Sequence, residues 1–170
     1  MNARQAIKAL VWFSLASTAC YSALWISAGR ASVVFEEILS AFLVVIMLLV
    51  PASVALFTYI EGISKELTEL RNEVSRQKLE TVMGKMSDLK REVISNAILI
   101  AGLCLAERSI KGLAVFSASE VHGDHCIDLQ WTALAIRFGF FVLSLVSAGS
   151  QMSGFLVAIS FRDEISKNRK

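Results

Sequence analysis

The sequence predicts an all-α membrane protein: four transmembrane helices, with a cytoplasmic helical hairpin between the second and the third. Three observations carry this. Apolar stretches at residues 9–27, 38–60, 93–118 and 131–160 fill most of the 170 positions. Hydrophobic residues make up 55% of the chain and mean hydropathy is +0.58, against about 45–50% apolar residues in an ordinary soluble domain. There are one proline and nine glycines, too few for long tails or for many strands joined by tight turns. The short alternating strands of a membrane barrel are absent. A helical bundle is then the structure that satisfies its own backbone polar groups in lipid.

The first stretch follows Arg4 and Lys8 and ends in small residues around Cys20. A lipoprotein signal wants a branched aliphatic residue three positions before the cysteine, and Ser17 stands there, so residues 9–27 read as a first transmembrane helix. The stretch has hydroxyls but no charge. The second contains Pro51, with Ser53 and Thr58 following. Proline removes a backbone hydrogen bond and kinks a helix. Both stretches supply the roughly 20 residues that a ~30 Å hydrocarbon core requires.

The third stretch is interrupted. Ser95 and Asn96 are followed by Glu107, Arg108 and Lys111, and the apolar run before Glu107 spans only ~21 Å. Either the helix stops near Glu107, with residues 112–119 interfacial and the charges snorkelling to headgroups, or it continues to about Ala118 with three charges at depth. Ionisable groups at depth are costly and often functional. In the fourth stretch, steps of three or four from Arg137 reach Phe140 or Phe141, Ser144, Ser147 or Ala148, Gln151, Gly154 and Ala158. Such a face packs against another helix or lines water. Arg137 and Glu107 lie at similar distances from the connection between their stretches. A Glu107–Arg137 pair is expected, with Arg108 and Lys111 as surplus positive charge. Trp12, Trp25 and Trp131 fall near helix ends, as interface anchors do.

Charge sets the orientation. The N-terminal tail, residues 61–92 and the C-terminal tail hold 13 of the 17 Lys and Arg residues. They fall on one side of a four-crossing plan, which the positive-inside rule makes cytoplasmic, both termini included. The domain plan is 1–60, 61–92, 93–160 and 161–170, with outer loops around 30–37 and 119–130. Residues 61–92 carry seven acidic and seven basic residues, often three or four apart, which supports exposed helix. One apolar stripe runs Ile63, Leu67, Leu70, Val74. Another runs Leu79, Val82, Met86, Leu89, Val93. Their phase breaks across 75–78, and the chain must return to the bilayer near Val93, so the stripes are expected to pack as two antiparallel helices. A solvated connector, a docking platform for a soluble protein and an oligomerising coiled coil all fit this pattern.

The sequence offers no catalytic site, cofactor site or metal site. His122, Asp124, His125 and Cys126 cluster in the expected outer loop without a recognised ligand spacing. Cys20 and Cys104 read as packing residues, and Cys126 as an external thiol. No phosphate loop, G-x-S-x-G or H-E-x-x-H occurs, and the first stretch lacks the lone glutamate of a small multidrug exporter. Balanced cytoplasmic charge argues against direct binding to nucleic acid.

The organisation 9–27, 38–60, 61–92, 93–118 and 131–160 resembles the small membrane subunits of bacterial anti-phage defence systems, of the Kiwa KwaA-like kind. The resemblance implies a homo-oligomer in the bacterial inner membrane that senses infection and engages a soluble DNA-binding partner. The expected function is therefore a non-enzymatic membrane protein that self-associates and holds a cytoplasmic partner through residues 61–92. The alternative is a small oligomeric ion channel, or membrane-permeabilising effector, lined by the fourth helix.

Overall fold

The computed structural model describes residues 3–69, 76–120 and 124–168. Leu70, Val74 and His122 lie outside them, as do the side chains of Leu67, Leu79, Asp124, His125 and Cys126. The described residues form five helices: α1 (Ala3–Ile26), α2 (Ser32–Ser40), α3 (Phe42–Glu69), α4 (Arg76–Glu120) and α5 (Asp124–Asn168). Four stretches are long and apolar enough to cross a membrane: Ile7–Ile26, Ser32–Lys65, Thr81–Phe116 and Asp128–Ser160.

Helix α1 stops for a local reason. Ala28 and Gly29 both have positive φ, +49° and +83°. Gly29 N donates to Leu24 O at 2.9 Å and Ala28 N to Trp25 O at 3.2 Å, the pair of bonds of a Schellman cap. Ser27 Oγ then accepts from Ala31 N at 3.1 Å and steers the chain into α2. Glycine suits position 29 twice over, since a Cβ there would also lie 3.0 Å from the Trp131 ring.

The connections are shorter than the sequence suggests. The outer loop expected around 30–37 is helical from Ser32 onward, because Phe35 and Leu39, four apart, have a core to pack against. Helices α2 and α3 are separated only at Ala41. That residue stays right-handed (φ −70°, ψ −15°), and Val45 N donates to Ala41 O at 3.0 Å. The second outer loop, expected over 119–130, contracts likewise: α4 reaches Glu120 and α5 begins at Asp124.

Helix α4 runs unbroken through Glu107, Arg108 and Lys111, and no helix end marks the expected boundary at 92/93. Its buried positions explain the continuity. Met86, Val93, Ile100 and Glu107 recur every seven residues, with Leu103 between the last two. The same interval runs through Arg137, Ser144, Gln151 and Ala158 of α5, all buried, and through Leu56 and Ile63 of α3, with Ser53 and Ile60 also seven apart. A seven-residue repeat is the seam of helices that pack side by side.

The chain divides into two units, Met1–Met47 with Leu99–Val146 and Leu48–Ile98 with Ser147–Lys170. In the first, Cys20, Leu24, Leu39, Leu134 and Ala135 form the core, with Phe35, Trp131, Phe138 and Phe141 against it. Phe35 meets Phe138, and Phe42 meets Phe141, edge to face at 4.9 and 5.4 Å. Helix α1 approaches α5 at Gly139, where a Cβ would clash with Ser17 Oγ and sit 2.7 Å from the Phe13 ring. In the second unit, Leu56, Ile60, Ile63, Met86, Val93 and Ala158 form the core, with Val82, Leu89 and Phe155 packed on it. Ile63 of the first expected stripe and Val82, Met86, Leu89 and Val93 of the second thus share one cluster.

Candidate functional site

Among the described residues, buried charge lies in the first unit, at Glu107 and Arg137. Arg137, on the buried seam of α5, donates from Nε to Glu107 Oε1 at 2.8 Å. Its Nη1 donates to Glu36 Oε1 on α2 at 3.0 Å. The Arg137 and Glu107 side chains are only 6% and 1% exposed, whereas Glu36 is 48% exposed. The guanidinium fork is thus divided between a dry carboxylate and a wet one, using two of its five donors. Arg108 Nε stands 3.4 Å from Glu107 Oε2, an ion-pair distance, yet that buried oxygen accepts no hydrogen bond. Adjacent residues on a helix point about 100° apart, so Arg108 reaches its neighbour only obliquely.

The network differs from the expected one in membership. Glu36, placed by sequence in an outer loop, is a full partner because α2 is helical and Phe35 and Leu39 fix its face. Arg108 is drawn onto Glu107 and is not surplus. Lys111 is exposed and makes no ion pair among the described residues. Two carboxylates and two guanidiniums make the cluster neutral. The pairs clamp α2, α4 and α5 together; among the described residues no group of three or more His, Cys, Asp or Glu stands in metal-holding geometry.

The second unit holds a polar cluster around α5. Ser53 Oγ lies 2.8 Å from Leu49 O and 3.0 Å from Gln151 Oε1. Gln151 Nε2 donates to Val93 O across 3.5 Å. Three helices therefore meet at one buried carboxamide. Nearby, Ser150 Oγ donates to Glu92 Oε1 at 3.1 Å, and the buried Asn96 Nδ2 has no partner.

The expected packing or pore face of α5 is occupied by the chain itself. Ser144, Ser147 and Gln151 are 0%, 7% and 6% exposed. Gly154 is half-buried, and a Cβ on it would stand 3.2 Å from Leu89 Cδ2. Sequence reasoning missed Glu36 and the Ser53–Gln151 contact. For Ser53 a signal existed, since it lies seven residues before Ile60. For Glu36 the signal was its place three residues before Leu39.

No family model matches the chain, and no solved structure does. Among curated proteins it is similar to Protein transport protein DSL1 of Saccharomyces cerevisiae, with 30% identity over 94 residues. That match covers 54% of this chain but only 12% of the yeast protein. It therefore carries no family and no activity to this chain.

Proposed function

We propose that this chain is a non-enzymatic, multi-pass protein of the bacterial inner membrane. In this reading it self-associates and holds a cytoplasmic protein partner through residues 61–92. The observation that carries the membrane placement is the apolar surface. Leu10, Leu48, Leu105, Leu113 and Leu156 are each between 64% and 71% exposed, and they belong to four different helices. Soluble monomers rarely expose apolar patches beyond a few hundred Å²; in lipid such side chains have their proper solvent. The same solvent accounts for the interior, where buried charge is paired and buried Ser and Gln bond across helices.

The orientation rests on the distribution of Lys and Arg. The docking role rests on the contrast between the apolar spans and residues 61–92, with their balanced charge and helix-forming composition. The resemblance to KwaA-like subunits of Kiwa systems gives that role a biological setting, as the membrane sensor of an anti-phage system. A channel lined by α5 is less well supported, since Ser144, Ser147 and Gln151 are covered within one chain.

The test is accessibility combined with co-purification. A cysteine replacing Ser75, in a chain otherwise free of cysteine, should resist a membrane-impermeant thiol reagent in intact cells and react after lysis. Affinity purification from the native host should bring down a soluble partner that a chain lacking residues 66–80 loses. Labelling of position 75 from outside the cell refutes the orientation and the docking role with it.

A further inference from the structure

We propose that Pro51, Ser53 and Gln151 make α3 a two-state hinge, with the single hydroxyl proton of Ser53 as its latch. Three observations on one helical turn lead there. Pro51 lies inside α3 and has no N–H, so the carbonyl four residues earlier, that of Met47, has no helical donor. Two residues on, Ser53 bonds back to Leu49 O at 2.8 Å. That carbonyl is also the natural acceptor for the Ser53 backbone N–H, and such back-bonding bends helices. Pro51 is exposed and Ser53 is buried, so the missing bond and the crowded carbonyl fall on opposite sides of α3 and can act on the same bend.

The latch follows from counting protons. A serine hydroxyl has one, yet Ser53 Oγ has two acceptors in reach, Leu49 O at 2.8 Å and Gln151 Oε1 at 3.0 Å. It serves one at a time. When Ser53 donates to Leu49, it reinforces the bend of its own helix. When it donates to Gln151, it ties α3 to α5, while Gln151 Nε2 reaches Val93 O on α4. Neither bond has a charged partner, so the two are comparable in strength, and the proposed hinge exchanges between them. Beyond Pro51, α3 carries Leu56, Ile60 and Ile63 into the core that holds Met86 and Val93. A change of bend therefore alters how these helices meet. Only the use of that motion, to signal towards residues 61–92, rests on the proposed docking role.

The experiment measures distances in the full chain, in lipid nanodiscs and without any partner. Spin labels go on Thr58 of α3 and Ser95 of α4, both exposed, with the native cysteines replaced. The wild-type background should give two distance populations. Pro51→Ala restores the backbone donor and should give one. Gln151→Met removes only the acceptor on α5 and should lose the population tied to α5, whereas Ser53→Ala removes the donor of both bonds and should merge the two populations into one broad distribution. Ser53→Ala deletes a single oxygen and keeps the test decisive if Gln151→Met fails to fold. One unchanging population in wild type and Pro51→Ala overturns the hinge, and two populations that Ser53→Ala leaves intact overturn the latch. Partner capture scored on the wild-type chain keeps this separate from the docking role: two distances with no partner captured refute the docking alone.

Discussion

Dividing one guanidinium between Glu107 and Glu36 predicts a graded response to charge removal, which a simple pair does not. Arg137→Gln strands Glu107 in the interior with only Arg108, 3.4 Å from its other oxygen. Removing one member of a buried pair costs about 3–5 kcal/mol. Glu107→Gln is milder, because Arg137 keeps Glu36 at 3.0 Å and the new carboxamide oxygen can still accept from Nε. The loss is that of a charged hydrogen bond, about 1.5–3 kcal/mol. Glu36→Gln removes a contact whose carboxylate is half in solvent, worth about 0.2–1 kcal/mol. The expected order is Arg137 over Glu107 over Glu36. Exchanging Glu107→Arg with Arg137→Glu, the natural rescue for an isolated pair, should recover little: it sets a carboxylate at 137 against Glu36 and a guanidinium at 107 beside Arg108. Adding Glu36→Lys to the exchange should improve it. Replacing Glu107 and Arg137 together by leucine should cost less than Arg137→Gln alone. Denaturant titration in mixed micelles, read by tryptophan fluorescence, gives the ranking. Three equal single-mutant costs, or additivity within about 0.5 kcal/mol for Glu107 and Arg137, would refute the shared clamp.

Two further substitutions probe packing. Gly139→Ala drives a methyl group into Ser17 Oγ and the Phe13 ring and should destabilise the chain by about 1–3 kcal/mol. Gly102→Ala, with nothing within 4 Å of the new atom, should be neutral or stabilising by up to about 1 kcal/mol; the same titration compares the two, and equal effects refute the close approach of α1 to α5. Met86 is fully buried, so Met86→Ala should cost about 2–5 kcal/mol and, under the docking proposal, weaken partner capture, whereas Met83→Ala, at a position 37% exposed, should do neither.

How far the fold was legible depends on which signal each element carries. The apolar runs mark four span-capable stretches because a bilayer-length run of hydrophobic residues has few other uses. The face of α5 was legible because Arg137, Ser144, Gln151 and Ala158 stand out against an apolar background. The matching seam of α4 was harder to see. Met86 and Val93 stand out in the charged stretch before residue 94, but Ile100 is apolar among apolar neighbours, and Glu107 reads as the end of a hydrophobic run when it is the next member of a seven-residue repeat. Length arithmetic left a helix end there open beside continuation to about Ala118, because it counts hydrophobic residues from the last charge. It takes no account of whether the next charge has a partner waiting for it.

Glu36 marks the limit of reading one stretch at a time. Two consecutive glutamates between apolar runs look like a solvated turn, and Glu37 is indeed exposed. Glu36 differs only in phase, because Phe35 and Leu39 are drawn inward and carry it to the edge of the buried face. Its partner is 101 residues away, so local pattern cannot announce the bond. Ser53 and Gln151, 98 residues apart, obey the same logic. In an apolar solvent each buried donor and acceptor must be matched from within the chain. The productive question for such a sequence is therefore which polar residues share a seam phase, since those are the ones that must find each other. Asn96, half-buried with an unpartnered amide nitrogen, is, with Glu107 Oε2, a polar group on α4 still to be matched. If self-association supplies the missing acceptor, Asn96→Leu should shift the chain towards monomer in size-exclusion chromatography with light scattering; an unchanged mass would exclude Asn96 from the contact between copies.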